Sequence, residues 1–158
     1  MTTVEPEPFK KSAVSIHKIL VAVDLTEHSK STISYAAQIA KCLNASIVLV
    51  HVFAPTALTE FPKEYRYHLV EELRRDSEMR LRDLSEAVHD MKVPCNAVFM
   101  IGDPAERVGA LALNMKADLI ITASHHPKLL ACLFNLDTAP QIMDRAPCPT
   151  LVYHEKNA

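Results

Sequence analysis

Short apolar runs that are rich in β-branched residues recur along the chain. The first is KILVAVD at residues 18–24, and the second is ASIVLVHV at residues 45–52. Runs of this length and composition are typical of strands that are buried on both faces of a parallel sheet. Three later runs have the same character: NAVFMIG at residues 96–102, DLIITAS at residues 118–124 and PTLVY at residues 149–153. The pattern predicts five strands.

Segments with helical periodicity separate these runs. After the first strand, five apolar residues share one helix face, and Asn44 follows as a residue that often ends a helix. They are Ile33, Ala36, Ala37, Ala40 and Leu43. A longer, highly charged segment carries a second such face. Its members are Val70, Leu73, Ser77, Leu81, Leu84, Val88 and Met91. A third helix is predicted to start with Asp103 as N-cap, Pro104 in the first turn and Glu106 in a capping box. A fourth lies around residues 141–145.

Strands and helices alternate throughout, which predicts an α/β fold with three layers: a five-stranded parallel sheet, doubly wound with helices on both faces through right-handed crossovers. The predicted strand order is 3-2-1-4-5, with the first strand in the centre. Residues 1–15 contain prolines and charges and are predicted to form a flexible tail. Residues 16–158 are predicted to form a single domain, which agrees with the usual size of domains.

Composition limits the classes of function. The 158 residues carry 17 basic and 19 acidic side chains, so the chain lacks the clustered positive charge that nucleic-acid binding needs. The N-terminal residues do not form the apolar core of a signal peptide, and no run approaches the ~20 residues that span a bilayer. We therefore expect a cytoplasmic protein that binds neither nucleic acid nor membranes. Four widely spaced cysteines without a C-x-x-C pair indicate reduced, structural thiols.

A ligand site in such a sheet lies beyond the carboxyl ends of the strands, where the strand order reverses. Here that crevice falls between the first and fourth strands, beside Asp24 on one side and Ser124, His125 and His126 on the other. Asp24 could orient a ribose hydroxyl or hold a metal, but an aspartate in this place also often caps the next helix. The histidine pair suggests metal binding or proton transfer, yet no other ligand stands at zinc-binding spacing. We predict no metal site and no catalytic residue.

Other nucleotide and phosphate motifs are missing from the sequence. No G-x-G-x-x-G follows the first strand and no G-K-[ST] loop is present, so the chain lacks the usual dinucleotide and P-loop motifs. The acidic cluster and the lysine of a phospho-accepting receiver domain are not found at the corresponding strand ends either.

Taken together, three segments resemble the universal stress protein family. They are HKILVAVDLTEHSKSTISYAAQIAKCLNASIVLVHV, GDPAERVGALALNMKADLIITAS and the closing APCPTLVY. The resemblance runs from about residue 17 to residue 153, and the two histidines after the fourth strand are similar to the UspA branch. It implies a Rossmann-like fold of the adenine nucleotide α-hydrolase type.

Family members that bind ATP carry the motif G-x2-G-x9-G-[ST] after the fourth strand. In this chain the three glycine positions fall on Ala123, His126 and Leu136, and the hydroxyl position falls on Asp137. Glycine lets backbone N–H groups converge on phosphates, whereas side chains block that approach or cost ~1 to 2 kcal/mol in the left-handed conformation. Asp137 brings a carboxylate to the helix end that would attract phosphate, and Pro140 removes an N–H. The resemblance and these departures predict no tight ATP binding and no cofactor.

The segment that replaces the glycine-rich loop is strongly apolar. Because each large apolar side chain contributes ~1.5 to 3 kcal/mol when buried, we expect these residues to cover the vacant crevice or to contact a partner subunit. The residues are Leu129, Leu130, Leu133 and Phe134.

The last strand lies at an edge of the predicted sheet. An apolar edge strand invites pairing with another chain, and two copies can pair antiparallel about a two-fold axis. The family resemblance implies the same dimer. We therefore predict a homodimer whose interface includes Thr150, Leu151, Val152 and Tyr153.

Two functions remain open from the sequence. The first is a non-enzymatic, homodimeric stress-response or interaction module that does not bind ATP and whose protein partner, if it has one, is unidentified. The second is a nucleotide-binding member with a divergent phosphate loop and adenine contacts near Asp24 and Ile47. The loop at residues 55–62, which is flanked by aromatic residues, is either a recognition surface or simply mobile.

Overall fold

The computed structural model describes residues 13–124 and 138–155. The strands in these ranges are β1 (Lys18–Ala22), β2 (Ser46–Phe53), β3 (Cys95–Ile101), β4 (Leu119–Ser124) and β5 (Thr150–His154). The helices are α1 (His28–Leu43), α2 (Lys63–Asp90), α3 (Pro104–Met115) and α4 (Thr138–Arg145), with a short 3-10 helix at Pro55–Leu58. All strand pairs are parallel and follow the order β3-β2-β1-β4-β5. The predicted fold class and strand order are confirmed.

The sheet is buried on both faces, which explains why its strands are continuous apolar runs. On one face, Val21 and Leu49 pack with residues of α1 and α2, such as Ile33 and Leu81. On the other face, residues of the same strands pack against α3 and α4. Examples are Leu20, Val50 and Ile120 against Val108 and Ile142. Successive residues of a strand alternate between these two cores.

Two helices end or begin at the capping residues that the sequence predicts. Asn44 ends α1 in the left-handed conformation, with φ 54° and ψ 43°. Asp103 caps α3, since its Oδ1 accepts a hydrogen bond of 2.8 Å from the backbone N–H of Glu106. Pro104 occupies the first turn, where a missing N–H removes no helical hydrogen bond.

Helix α2 begins at Lys63, directly after Pro62 and ahead of Val70, the first residue of its predicted apolar face. Arg66 explains the early start, because its guanidinium donates hydrogen bonds of 2.8 Å to the carbonyls of Thr59 and Phe61 in the preceding turn. This first part of α2 is poorly covered, and its aromatic side chains are exposed. They are Tyr65 and Tyr67, at 64% and 71% exposure.

The helix arrangement places a crevice at the carboxyl end of the sheet. β1 lies in the centre, α1 follows it on one face, and α3 and α4 lie on the other. No helix within residues 13–124 and 138–155 is long and apolar enough to cross a membrane. Residues 1–12 of the predicted tail lie outside the described ranges.

Candidate functional site

A cavity of about 560 Å³ lies beyond the carboxyl ends of β1, β2 and β4. Its position matches the one that the strand order predicts for a ligand site. Its volume falls within the range of small-molecule sites, roughly 300 to 1,000 Å³. The described walls come mainly from the strand ends and from the first two turns of α1, α3 and α4.

The turn from β1 to α1 is organised by Asp24. Its Oδ1 accepts hydrogen bonds from the Thr26 backbone N–H at 3.0 Å, the Thr26 hydroxyl at 2.7 Å and the Ser29 hydroxyl at 2.8 Å. Between them, Leu25 has a positive φ of 61°, which a non-glycine residue adopts at a cost. The N-cap of α1 is Glu27, which makes no side-chain capping bond. Asp24 therefore fixes the turn and the Ser29 side chain, and does not cap the helix in the usual way.

His51, on β2, contributes a neutral imidazole to the cavity. Its Nδ1 lies 2.8 Å from the backbone carbonyl oxygen of Val23. Because a carbonyl oxygen only accepts hydrogen bonds, Nδ1 carries the hydrogen and Nε2 is left as an acceptor. Burial lowers the pKa of His51, although the Val23 carbonyl and the Asp24 charge act in the opposite direction. His51 is uncharged at neutral pH.

An ion pair joins the start of α1 to the end of β5 at the rim of the cavity. Nδ1 of His28 lies 2.5 Å from Oε2 of Glu155, and Oε1 of Glu155 accepts a hydrogen bond of 2.7 Å from the Ser31 hydroxyl. The hydrogen bond to Glu155, followed by its negative charge, raises the pKa of His28. Both side chains are solvent-accessible, so the pair lies at the surface of the rim.

The inner wall of the cavity is apolar apart from hydroxyl groups. Thr122 on β4 is only 4% exposed and shares a sheet face with Ile120, toward α3 and α4. Its neighbours in the cavity wall include Val108 and Ile142. Thr122 brings a hydroxyl group to this wall. It is a polar group in an otherwise apolar wall.

Carboxylates and histidines are the titratable groups of the described cavity wall. Asp24 and Glu155 contribute carboxylates, the remaining titratable groups are histidines, and no lysine or arginine is among the described lining residues. In the same ranges no three His, Cys, Asp or Glu side chains lie close enough together to hold a metal ion.

The sequence of the chain is similar to those of a known protein family. The sequence profile of the universal stress protein family matches residues 15–154. The chain belongs to this family. A universal stress protein of Thermus aquaticus is 29% identical over 135 residues, which cover 85% of this chain and 96% of the relative.

Solved structures agree with this assignment at the level of the fold. The hypothetical protein MJ0577 superposes with a TM-score of 0.79 at 19% identity, over 92% of this chain and 100% of the other. A universal stress protein solved in complex with cAMP superposes with a TM-score of 0.67 at 17% identity, over 89% of this chain and 98% of the other. At these identities the similarity shows the fold alone.

The structure of this universal stress protein brings together some of the predicted site residues. Asp24 and Ser124 line the cavity, as does Ala123 at the first of the lost glycine positions. Ile47 does not line it: this residue is 1% exposed in the core, in the first half of β2 and paired with Ile19. The corresponding cavity residues of β2 are instead Val50, His51 and Val52.

Several predicted residues lie outside the described ranges. They are His125, His126, Asp137 and the apolar residues Leu129, Leu130, Leu133, Phe134 and Leu136. Conversely, four residues of the cavity wall were not selected from the sequence: His51, Thr122, His28 and Glu155. His28 and Glu155 are 127 positions apart, so only the tertiary structure brings them together.

The predicted interface residues form an edge strand in this universal stress protein. Thr150, Leu151, Val152 and Tyr153 are half-buried, and in the described sheet β5 pairs with β4 alone. The ring of Tyr153 packs against that of Tyr35 on α1, with 4.9 Å between centroids. This contact fixes the strand against the body of the domain.

Proposed function

We propose that this universal stress protein is a non-enzymatic, homodimeric stress-response module of the UspA type, located in the cytoplasm, whose crevice does not hold ATP tightly. The absence of lysine and arginine from the described cavity wall is the observation that carries this proposal. A triphosphate has several negative charges, which need converging N–H groups or cationic side chains. Within the described wall, histidines are the only side chains that can carry a positive charge.

The sequence of residues 125–137, which lies outside the described wall, also supports the absence of tight ATP binding. Residues 125–137 contain one lysine and one aspartate, Lys128 and Asp137, so they add no net positive charge with histidine neutral. Of the glycines that give ATP-binding relatives their phosphate loop, none is present at Ala123, His126 or Leu136. A backbone without these glycines and a segment without net positive charge both oppose triphosphate binding.

The polar groups around Asp24 support a structural rather than a catalytic role. The Thr26 and Ser29 hydroxyls donate to the Asp24 carboxylate, and His51 is held by a backbone carbonyl. A hydroxyl nucleophile needs a neighbouring base that accepts its proton, and that base is usually oriented by a third group. These hydroxyls instead donate to a carboxylate that closes a turn.

The geometry of β5 supports the dimer. Ile120 N–H donates to the Pro149 carbonyl at 3.0 Å, and Ile120 is paired with Thr150. In a parallel ladder this register directs the N–H groups of Leu151 and Tyr153 toward β4, and those of Thr150 and Val152 toward the open edge. Antiparallel pairing with a second β5 would satisfy these outward groups.

A titration with ATP tests the proposal. A ligand that bound with a constant of ~10 μM would, at 1 mM, stabilise the native state by about 2.7 kcal/mol. For a chain of this size such stabilisation raises the melting temperature by several degrees. We expect no shift with ATP and Mg²⁺, and a shift of several degrees would contradict the proposal.

A nucleotide-binding role is the second candidate. It is favoured by the presence of a cavity of about 560 Å³ at the strand ends and by the cAMP complex of a protein with the same fold. AMP and cAMP in the same titration distinguish the two candidates, because only the second predicts that they stabilise the protein.

A further inference from the structure

Strand β3 is the second edge of the sheet, on the side opposite to β5. In the described sheet it pairs with β2 alone. Edge strands are usually protected by charged residues, prolines or bulges, because their outward N–H and C=O groups pair readily with another chain. The β3 sequence CNAVFMI contains no charged residue and no proline, and its register with β2 is continuous. The strand therefore lacks the usual protection against a further strand.

The register with β2 determines which backbone groups of β3 face outward. The N–H of Ile47 donates to the carbonyl of Pro94 at 2.8 Å, and Ile47 is paired with Cys95. In a parallel ladder the residues that bond to one neighbour alternate with those that face away from it. The N–H and C=O groups of Ala97 and Phe99 thus point away from β2. Ala97 is also solvent-exposed, so an added strand can reach this part of the edge.

Helix α2 lies beside this edge and forms a groove with it. A cavity of about 440 Å³ is lined by residues of both elements. The hydroxyl of Ser85 donates to the outward carbonyl of Cys95 at 3.2 Å, and the guanidinium of Arg74 lies 5.5 Å from the centre of the Phe99 ring. The later part of α2 is therefore beside the start of β3 and its earlier part beside the end. Helix and strand run antiparallel along the groove.

The α2 wall of this groove carries charges of alternating sign. Glu78, Arg82 and Glu86 are exposed, line the cavity and are four residues apart, and His89 lines it one turn further along. Among the described residues, none of the three charged side chains forms an ion pair. Four residues of a helix rise by about 6 Å, and two residues of a strand rise by about 6.6 Å. Alternate side chains of an extended segment in the groove therefore match the spacing of these charges.

We propose that the β3 edge binds an extended segment of a partner protein in which alternate residues are basic, acidic and basic. The backbone of the segment pairs with Ala97 and Phe99, as in other cases of strand addition to a sheet edge. Its charged side chains face Glu78, Arg82 and Glu86. This charge order reads the same in both directions, so it suits parallel and antiparallel pairing.

A second copy of β3 does not fit this description, because all seven of its residues are uncharged. The site lies at the opposite edge of the sheet from β5 and is separate from the crevice. The inference therefore goes beyond the proposed function, and its test does not depend on ATP binding.

Two peptides of identical composition test the proposal. TKVEVKT places its charges at alternate positions, whereas TVKEKVT places them at consecutive positions, and both have seven residues like β3. NMR titration of the full, 15N-labelled chain measures their binding. We expect TKVEVKT at millimolar concentration to shift the amide signals of Ala97 and Phe99, and to bind at least about threefold more tightly than TVKEKVT. Unchanged β3 signals, or equal affinities of the two peptides, would refute the proposal.

The substitution Ala97→Pro tests the backbone contact. Proline removes the outward N–H, and edge strands tolerate proline where this group faces solvent, so the sheet should be retained. Ala97→Thr is the matched control, because threonine keeps the N–H. TKVEVKT should bind about three- to tenfold more weakly to Ala97→Pro, with little change in Ala97→Thr. Equal affinities of the two variants would show that the peptide does not pair with this edge.

Reversal of the α2 charges tests the wall of the groove without changing the strand. The variant combines Glu78→Lys, Arg82→Glu and Glu86→Lys, all at exposed positions, so the fold should be retained. We expect the peptide TEVKVET to bind this variant more tightly than TKVEVKT does, which is the reverse of the order for the wild type. The same order in both proteins would contradict the assigned charge match.

Self-association is the competing use of this edge. If β3 paired with a second copy, light scattering would detect species larger than a dimer, and Ala97→Pro would remove them. That result would contradict the choice of a partner segment. A wild type without such species, together with a preference for TKVEVKT, supports the proposal.

Discussion

One carboxylate oxygen of Asp24 accepts three hydrogen bonds in the β1–α1 turn, and this turn forms part of the cavity wall. The Ser29 hydroxyl that donates to it is 3% exposed, so it cannot readily exchange Asp24 for water. Leu25 keeps its left-handed conformation within the same turn. The hydrogen bonds of Asp24 thus hold the backbone of this turn within the protein itself, without a ligand.

Asp24→Ala should therefore destabilise the protein. Removing the acceptor leaves the buried Ser29 hydroxyl unsatisfied, which costs about 2 kcal/mol in the free energy of unfolding. Glu27→Ala is the control, since Glu27 lies in the same turn but forms an exposed ion pair with Lys30, and its loss should leave the stability nearly unchanged. Urea denaturation measures both. A change below ~0.5 kcal/mol in Asp24→Ala would contradict the assigned role.

The pKa values of His28 and His51 should be shifted in opposite directions from the ordinary histidine value of 6.5. Glu155, with smaller effects of Asp24 and Glu27, raises the pKa of His28, whereas burial lowers that of His51. The stabilisation from the His28 pair is fully present below pH 6.5 and is lost as pH rises through the raised pKa.

NMR titration of the imidazole signals tests this prediction. Glu155→Gln should lower the pKa of His28 and leave that of His51 below its usual value. A His28 signal that titrates identically in both proteins would show that the ion pair does not form in solution.

At the scale of helices and strands, several ends depend on residues in the left-handed conformation. Lys116 ends α3 with φ 53° and ψ 54°, a conformation that glycine adopts at lower cost. Lys116→Gly should therefore stabilise the protein by about 1 kcal/mol. Lys41→Gly is the matched control, because Lys41 is an exposed lysine within the last turn of α1, where glycine should destabilise by up to about 1 kcal/mol. Equal destabilisation in both variants would contradict the assignment of the α3 end.

The elements were largely predictable from the sequence because their signals are local. Buried parallel strands need continuous apolar runs, and Asn44 and Asp103 mark helix ends by their own chemistry. The start of α2 was not predictable, since it depends on Arg66 reaching the carbonyls of Thr59 and Phe61. Ile47 was misplaced because an apolar strand gives no local sign of which of its residues reach the crevice.

The candidate site could be predicted only in part. Asp24 and Ser124 follow from the rule that ligands bind at strand ends, and both line the cavity. Thr122 lies within an apolar run, and only the packing of α3 and α4 on that face of the sheet makes it part of a cavity wall with Val108 and Ile142. The rim pair of His28 and Glu155 depends on the pairing of β4 with β5, which brings the end of β5 close to α1.

At the scale of the whole molecule, the open edge of β5 predicts that two chains pair through this strand to form a dimer. Val152→Pro removes an N–H that points away from β4, so it should break the dimer without breaking the sheet. Val152→Thr keeps this N–H and a β-branched side chain, and should remain dimeric. Light scattering at micromolar concentration should give twice the chain mass of 17.6 kDa for the wild type and Val152→Thr. A monomeric wild type, or a dimeric Val152→Pro, would contradict the predicted interface.

The proposed lack of tight ATP binding is the central property of this universal stress protein to measure. Calorimetric titration with ATP and Mg²⁺ tests it directly, with a variant that restores the motif as positive control. That variant combines the substitutions Ala123→Gly, His126→Gly, Leu136→Gly and Asp137→Ser. We predict no binding heat for the wild type and measurable binding for the variant. A dissociation constant of ~10 μM or below for the wild type, which corresponds to about −7 kcal/mol, would contradict the claim.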